Sequence, residues 1–222
     1  RIIGTKVLLN VDGQDWKRKK WNWAGRLYYR VCEKIAAWTP DVIIADADVV
    51  RDYWMEHYGV PSVEIAYGAR TLDRLDDRTD ALDEFGLEPG KYMIYVARLE
   101  KENNAHTVVK AFEHVKTDMK LAVLGSAPYN AEYIAELHKT PDKRIVFTGG
   151  VYDQRYFQLQ RHAYLFIQAC EVGGTHPALL EGMGAGHCIV YNDVPEHHEV
   201  VGDAGLCYAY NDPHDLARRL QE

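Results

Sequence analysis

The sequence predicts an α/β protein built on two parallel sheets. Short apolar runs alternate with helix-like stretches along the chain, and most of these runs are apolar at successive positions. Alternating strands and helices are typical of right-handed β-α-β units, and strands that are buried on both faces have continuous apolar sequences. A polar segment over residues 69–91, which lacks a long apolar run, separates the elements into two groups.

The first group predicts a partial domain over residues 1–75. Its strands are expected at 6–11, 42–45 and 62–67, and its helices at 24–38 and 48–57. The segment that follows is rich in Asp and Arg and ends with Gly86, Pro89 and Gly90. Such punctuation is typical of a domain boundary.

The second group predicts a complete domain over residues 76–222. Its strands are expected at 92–96, 120–124, 144–147, 164–167 and 188–191, with a weaker one at 206–208. Helices are expected at 105–116, 131–138, 153–162 and 177–184. Because ligands bind beyond the carboxyl ends of parallel strands, the loops after these strands are expected to form the site.

Composition excludes several classes of protein. The formal charge of -7 argues against nucleic-acid binding, so no nucleic-acid partner is expected. The four cysteines are far apart and form no C-x-x-C pair, which predicts buried free thiols in a reducing, cytoplasmic compartment. No apolar run approaches the roughly 20 residues that span a bilayer.

The loop after the strand at 164–167 has the features of an anion site. Two glycines, Gly173 and Gly174, precede Pro177, which suits the first position of a helix. Backbone N–H groups at a helix N-terminus favour phosphate. Glu181, one turn into that helix, could accept hydrogen bonds from a ribose. The alternative is an ordinary glycine turn beside a solvated glutamate.

The run EVGGTHPALLEGMGAG at residues 171–186 resembles the signature of family 4 glycosyltransferases of the GT-B type. The closest branch includes rhamnosyltransferase-like proteins. The resemblance implies two Rossmann-like domains, the first of them incomplete here, and sugar transfer with retention. It also implies that Glu181 binds the nucleotide ribose and that Glu171 is catalytic at the donor sugar, although the two glutamates are farther apart than in the common form.

Two further segments resemble donor-site loops of the same family. Residues 96–104 resemble its G-R-L loop, in which an arginine binds the diphosphate, and residues 144–152 resemble its V-x-F-x-G turn beside the nucleobase. The residues that the resemblance implies for donor binding are Arg98, Lys101, Asn103, Gly149, Val151, Gly173, Gly174, Thr175, His176 and Glu181.

Residues 10–21 resemble an acceptor-domain loop of the form D-G-x-x-W-K-R. The resemblance places Asp12 at the reacting centre as a catalytic residue. Tryptophans flank a run of four consecutive basic residues over Trp16, Lys17, Arg18, Lys19, Lys20 and Trp21, a pattern that predicts peripheral contact with a membrane. A sugar-stacking surface and a packed tryptophan cluster remain alternatives.

The resemblance implies an enzyme of polysaccharide biosynthesis that moves a hexose-type sugar from a nucleoside-diphosphate donor to a saccharide or lipid-linked acceptor. No metal or other cofactor is expected. An epimerase of the same architecture and a non-catalytic nucleotide-sugar-binding module remain alternatives. Because the first domain is expected to be incomplete, the chain is predicted to bind donor without transferring sugar.

Overall fold

Two parallel sheets form the framework of the protein in a computed structural model, which describes residues 4–11, 13–71, 73 and 77–222. The smaller sheet has the order β1-β2-β3. Its strands are β1 (Leu8–Val11), β2 (Val42–Ala45) and β3 (Ser62–Glu64). All its pairings are parallel, so the carboxyl ends of the strands lie at one edge.

The larger sheet has the Rossmann-like order β6-β5-β4-β7-β8-β9. Its strands are β4 (Tyr92–Val96), β5 (Lys120–Leu124), β6 (Ile145–Gly149), β7 (Leu165–Gln168), β8 (Cys188–Asn192) and β9 (Gly205–Tyr208). The strand order reverses between β4 and β7, and ligands bind in such sheets at the crevice beyond this reversal point. The order confirms the α/β prediction.

The helices cover both faces of the larger sheet and pack beside the smaller one. They are α1 (Trp23–Ala36), α2 (Asp48–Tyr58), α3 (Asp80–Glu84), α4 (Ala105–Phe112), α5 (Ala131–Leu137), α6 (Gln154–His162), α7 (Pro177–Gly184), α8 (Pro195–Val201) and α9 (Pro213–Arg219). Among the residues that the structure describes, no helix is long and apolar enough to cross a membrane.

Strand β4 shows why the larger sheet is apolar at successive positions. Met93 and Tyr95 enter the core on one face, which also contains Phe112, whereas Tyr92 and Ile94 enter the core on the other face. Side chains alternate between faces, and here both faces are covered. The Tyr92 hydroxyl donates a 2.5 Å hydrogen bond to the Leu159 carbonyl, so this polar atom is satisfied inside the core.

The smaller sheet has its own core, which includes Ile43 and Trp54. Helix α1 has no buried residue, and its last residue, Ala36, packs against the edge of this core. Its large apolar side chains at Trp23, Leu27, Val31 and Ile35, and at Tyr28 beside them, are exposed. The spacing of four residues places the first four in one stripe along the helix.

The element bounds differ from prediction where local sequence is a weak guide. Strand β3 ends at Glu64 rather than residue 67, and Ile65 beyond it is exposed at the edge of the sheet. Helix α3 lies inside the segment predicted as a boundary, where its Leu82 enters the core of the larger sheet. Helix α4 ends at Phe112, before the expected residue 116, and the chain then forms tighter turns.

The cysteines are free, as predicted, but they are not all buried. Cys170 is buried in the loop after β7, whereas Cys188 is exposed. Cys188 is the first residue of β8, at the sheet edge opposite the carboxyl ends. The exposure of Cys188 corrects the prediction that the cysteines are buried.

Candidate functional site

The carboxyl ends of the two sheets face each other across a cleft of about 210 Å³. The loops after β4 and β7 are neighbours because these strands pair, with Ile94 beside Phe166. The cleft is lined by Arg18, Tyr67, Val96, Ala97, Arg98, Asn103, Gln168, Cys170, Val172, Gly173, Gly174, Thr175, His176, Pro177 and Ala178. It therefore brings together six of the predicted donor-binding residues: Arg98, Asn103, Gly173, Gly174, Thr175 and His176.

Gly174 is the point where the loop after β7 passes Asp46, the residue that follows β2. A Cβ at Gly174 would lie 2.7 Å from Asp46 Oδ1, so a larger residue would displace the carboxylate. Asp46 Oδ2 accepts a 2.8 Å hydrogen bond from the Thr175 N–H, and the Asp46 carbonyl accepts one of 3.1 Å from the Thr175 hydroxyl. The Thr175 N–H, predicted to face the donor, thus binds Asp46 across the cleft.

Gly13 makes a second close approach between the two parts of the chain. A Cβ on Gly13 would lie 2.7 Å from the carbonyl carbon of Gly173. Gly13 has φ of 71° and Gly173 has φ of 149°, values that favour glycine. The neighbouring Asp12, predicted to be catalytic, lies outside the described residues.

Arg98 presents a cation at the mouth of the cleft. Its side chain is 56% exposed, and its NH2 group lies 3.9 Å from Glu100 Oε2. The Asn103 side-chain amide donates a 2.7 Å hydrogen bond to the Arg98 carbonyl, which fixes the loop beneath the guanidinium. Lys101 is exposed and is not among the residues that line the cleft.

Glu171 is held as a charged group at the edge of the cleft. Its Oε1 lies 2.5 Å from Lys19 Nζ, and its Oε2 accepts hydrogen bonds from Asn211 Nδ2 at 2.5 Å and from the Tyr210 hydroxyl at 3.0 Å. Burial acts to raise the pKa of Glu171, but these three donors outweigh it and hold the pKa below its ordinary value. Glu171 lines a smaller cavity that Gly13 also lines.

Glu181 contacts the neighbouring helix α6. The Tyr156 hydroxyl donates to Glu181 Oε2 and accepts a 2.9 Å hydrogen bond from Gln160 Nε2. Burial, and next the Glu181 carboxylate, raise the pKa of Tyr156 far above its ordinary value, so this hydroxyl stays protonated. The other carboxylate oxygen of Glu181 has no hydrogen bond in the described part of the chain, and Glu181 itself does not line the cleft.

The two predicted nucleobase contacts lie away from the cleft. Gly149 ends β6, which β5 separates from β4, and its carbonyl accepts a 2.9 Å hydrogen bond from Gly125 N–H. Val151 is 8% exposed and packs in the core of the larger sheet. Their role beside a base stays a prediction.

His176 precedes helix α7 and packs edge-on against His197, with ring centroids 5.3 Å apart. A Cβ at Gly173 would lie 2.9 Å from the His176 ring, so glycine is needed there as well. Burial, with His176 as a smaller cause, lowers the pKa of His197 to about 3. The neutral His197 ring is held by the Asn192 carbonyl, 2.9 Å from its Nδ1, and by the Gln168 amide nitrogen, 3.0 Å from its Nε2. Its contact with His176 helps to hold the loop in place.

The basic run at residues 17–20 faces the larger sheet as well as solvent. Arg18 is 8% exposed and lines the cleft, which corrects its assignment to a membrane-facing patch. Lys19 pairs with Glu171, and Lys20 lies 3.2 Å from Glu100 Oε1. Both tryptophans of the run, Trp16 and Trp21, are half-buried. Membrane contact by this run stays a prediction for its exposed members, chiefly Lys17.

One group in the described part of the chain has atoms placed close enough to hold a metal ion: Asp193, His198 and Cys207. His198 Nε2 lies 2.7 Å from Asp193 Oδ1, so a direct contact between these two side chains accounts for their proximity. The adjacent His197 is buried and directed elsewhere, as expected for neighbouring residues on a helix.

Sequence reasoning missed several residues in the cleft and around it. Asp46 carries a usable signal, because it directly follows an apolar strand at the carboxyl edge of a parallel sheet. Arg18 was interpreted with its basic neighbours as a surface residue. Tyr156 and Asn211 become neighbours of Glu181 and Glu171 only through tertiary packing, and no motif indicates them.

Comparison with protein families gives two matches. The family model described as glycosyl transferases group 1 matches residues 90–222. A domain of unknown function, DUF1972, matches residues 1–70. The first match covers the larger sheet and its loops, and the second covers the smaller sheet.

A curated relative is the N-acetylgalactosamine-N,N'-diacetylbacillosaminyl-diphospho-undecaprenol 4-alpha-N-acetylgalactosaminyltransferase of Campylobacter jejuni. It is 25% identical over 131 residues, which are 59% of this chain and 34% of the relative. The chain thus spans about a third of that relative.

Solved structures share the fold. Anabaena HepE in complex with UDP-glucose has a TM-score of 0.80 at 16% identity, over 96% of this chain and 61% of HepE. Sucrose-phosphate synthase from Thermosynechococcus elongatus has a TM-score of 0.78 at 17% identity, over 96% of this chain and 57% of that one. WaaG, a glycosyltransferase involved in lipopolysaccharide biosynthesis, has a TM-score of 0.71 at 16% identity, over 91% of this chain and 60% of WaaG. The fold is that of GT-B glycosyltransferases.

The contact between Asp46 and Thr175 predicts a loss of stability in Asp46→Ala. Removing the carboxylate leaves the buried Thr175 N–H without this acceptor, which should lower the free energy of unfolding by about 1–3 kcal/mol. Urea denaturation followed by circular dichroism measures the change. Asp203→Ala, at an exposed position, is the control and should stay within about 0.5 kcal/mol of the unaltered chain. Equal stability of the two variants would contradict the importance of this contact.

Proposed function

Because the chain belongs to the group 1 glycosyl transferases, we propose that it takes part in transferring a sugar from a nucleoside-diphosphate donor to a hydroxyl acceptor. The observation that carries the proposal is the cleft at the reversal point of the larger sheet. Arg98, the glycine loop and the N-terminus of α7 converge there. The resemblance of residues 171–186 to family 4 supports the finer assignment, in which transfer retains the anomeric configuration.

The departing diphosphate is the group that this cleft is suited to stabilise. The planar guanidinium of Arg98 can bind two phosphate oxygens at once. The N-terminus of α7, which starts at Pro177, adds a positive dipole end behind Gly173. Fixed charges of this kind stabilise a developing anion without reorganising. The proposed chemistry therefore uses no metal or other cofactor.

Glu181 and Glu171 are proposed to bind the other two parts of the donor. Glu181 has a carboxylate oxygen beyond its bond to Tyr156 that can accept from a ribose hydroxyl. Glu171, whose lowered pKa keeps it charged, is proposed to accept hydrogen bonds from the donor sugar. Asp12 is proposed to act at the reacting centre on its resemblance alone.

The relatives support the classes of donor and acceptor. HepE was solved with UDP-glucose, and the Campylobacter enzyme is named for an acceptor linked to diphospho-undecaprenol. We propose by extension a nucleotide-sugar donor and a saccharide or lipid-linked acceptor for this chain.

A lipid-linked acceptor would be met at a membrane, and helix α1 has a surface suited to that encounter. Its exposed apolar stripe begins with Trp23 and Leu27. Arg26, Arg30 and Lys34 are exposed at the same four-residue spacing and form a basic stripe beside it. Apolar side chains enter the headgroup region while basic ones attract anionic lipid. We propose that α1, with the exposed Lys17, contacts an anionic membrane.

Retention predicts that donor and product share one anomeric configuration. The full-length protein is incubated with a panel of α-linked nucleoside-diphosphate hexoses and a saccharide acceptor. Proton NMR of the anomeric signal should then show an α-linked product. A β-linked product would exclude retention and leave the transferase assignment intact.

Membrane contact predicts that the chain co-sediments with vesicles that contain phosphatidylglycerol and less so with pure phosphatidylcholine vesicles. Leu27→Asp, which places a charge in the apolar stripe, should weaken this binding severalfold. Glu132→Gln, at an exposed position on α5, is the control. The proposal fails if the anionic vesicles bind no more chain than the neutral ones.

The donor site predicts that Arg98→Ala weakens nucleoside-diphosphate binding by about 1.5–3 kcal/mol, the range for a hydrogen bond to a charged group. Calorimetric titration with a panel of nucleoside diphosphates, with and without EDTA, measures this loss and shows whether a metal contributes. Lys110→Ala, at an exposed position on α4, is the control and should leave the affinity unchanged.

In the same titration, Glu181→Gln distinguishes binding of the ribose from binding of the phosphates. This variant should lose affinity for ribonucleotides and keep its affinity for 2′,3′-dideoxyribonucleotides, whereas Arg98→Ala should lose both. Full affinity in Arg98→Ala, with its fold intact by circular dichroism, would remove the arginine from the donor site.

A further inference from the structure

Building on the proposed donor site, we infer that Arg18 is the second cation that binds the donor diphosphate, supplied across the cleft by the smaller sheet. Arg98 would then bind the phosphates from one side and Arg18 from the other. The donor site would be shared by two sheets rather than contained in the larger one.

Arg18 is placed for this role by its own loop. It follows the short helical turn Asp15–Lys17 after β1, and its Nε lies 2.6 Å from Asp15 Oδ1. This contact fixes the Nε edge of the guanidinium, and the residue is 8% exposed and lines the cleft. The side chain is therefore ordered in advance, so little rotational freedom is lost when a ligand binds.

The NH1 group of the same guanidinium is only loosely paired. Its NH1 lies 3.9 Å from Glu100 Oε2 and 4.0 Å from Glu102 Oε1. Both separations exceed the 2.7–3.2 Å of an N–H···O hydrogen bond. These two carboxylate oxygens are buried without a hydrogen-bond partner in the described part of the chain. Arginine has five N–H donors, so capacity remains for a phosphate.

Glu100 also sets the distance between the two arginines. Arg98 NH2 and Arg18 NH1 each lie 3.9 Å from the same atom, Glu100 Oε2. The two nitrogens can therefore be no farther apart than twice that distance. The other oxygen of Glu100 is held by Tyr129 at 2.6 Å and Lys20 at 3.2 Å, which fixes the carboxylate between the arginines.

Other basic side chains near the cleft are less suited to the role. Lys19 is paired with Glu171 and Lys20 with Glu100, and neither is among the residues that line the cleft. Lys101 is exposed away from the residues that line the cleft, and Asn103 is uncharged, with its amide bonded to the Arg98 carbonyl. Among the described residues that line the cleft, the lysine and arginine side chains are those of Arg18 and Arg98.

The test compares a nucleoside diphosphate with its parent nucleoside, the first by calorimetry and the second by NMR titration at millimolar concentration. Arg18→Gln should weaken diphosphate binding about 10- to 100-fold, from about 1.5–3 kcal/mol for a charged hydrogen bond at 1.4 kcal/mol per tenfold. Its nucleoside affinity should stay within about twofold, because the proposal places Arg18 at the phosphates and not at the base or ribose. Arg218→Gln, exposed on α9, is the control and should change neither affinity.

Each outcome decides one claim. No diphosphate binding by the unaltered chain overturns the proposed function. Binding by the unaltered chain with unchanged affinity in Arg18→Gln overturns the role of Arg18 alone. An equal loss for nucleoside and diphosphate shows a structural effect and also overturns that role. If Arg18→Gln does not fold, Arg18→Lys decides, because it keeps the charge and loses the planar fork, and only its diphosphate affinity should fall.

Discussion

Gly174 and Asp46 approach so closely that no side chain could stand between them, and the geometry of the cleft depends on this approach. The Asp46 carboxylate binds the Thr175 N–H at 2.8 Å and thereby joins the end of β2 to the loop after β7. Gly13 meets Gly173 backbone to backbone beside this contact. Farther out, Glu199 of α8 accepts hydrogen bonds from Asp48 N and Val49 N, at 2.6 Å and 2.8 Å, at the start of α2. Together these contacts set the distance across which a ligand would be held.

The basic and acidic side chains around the cleft come from different parts of the chain. The basic run of the smaller sheet faces carboxylates of the larger one: Lys19 faces Glu171, and Lys20 faces Glu100. The two carboxylates are almost fully buried, so salt screens these pairs less than it screens exposed ones. The pairs position the loops, and the cost of removing the charges from water limits what they add to stability. Their contribution is therefore to geometry, since they place the arginines around the cleft.

The sequence predicted the larger sheet well because its strands are buried on both faces. A run such as Tyr92–Val96 is apolar throughout, and the glycine loop with Pro177 marks the start of α7. The smaller sheet was harder, since β3 lies at an edge and its end is not set by burial. Of the site, Arg98 and the glycine loop could be predicted from local motifs. Partners such as Asp46 depend on how two distant segments pack, which no local pattern contains.

The central claim is that a nucleoside-diphosphate donor binds between the two sheets, with its phosphates at the N-terminus of α7. A crystal structure of the chain with a bound nucleoside diphosphate tests it most directly. The account predicts electron density for the diphosphate within hydrogen-bond distance of both Arg98 and Arg18, and for the ribose beside Glu181. Density for the nucleotide outside the cleft, or phosphates that contact neither arginine, would contradict it.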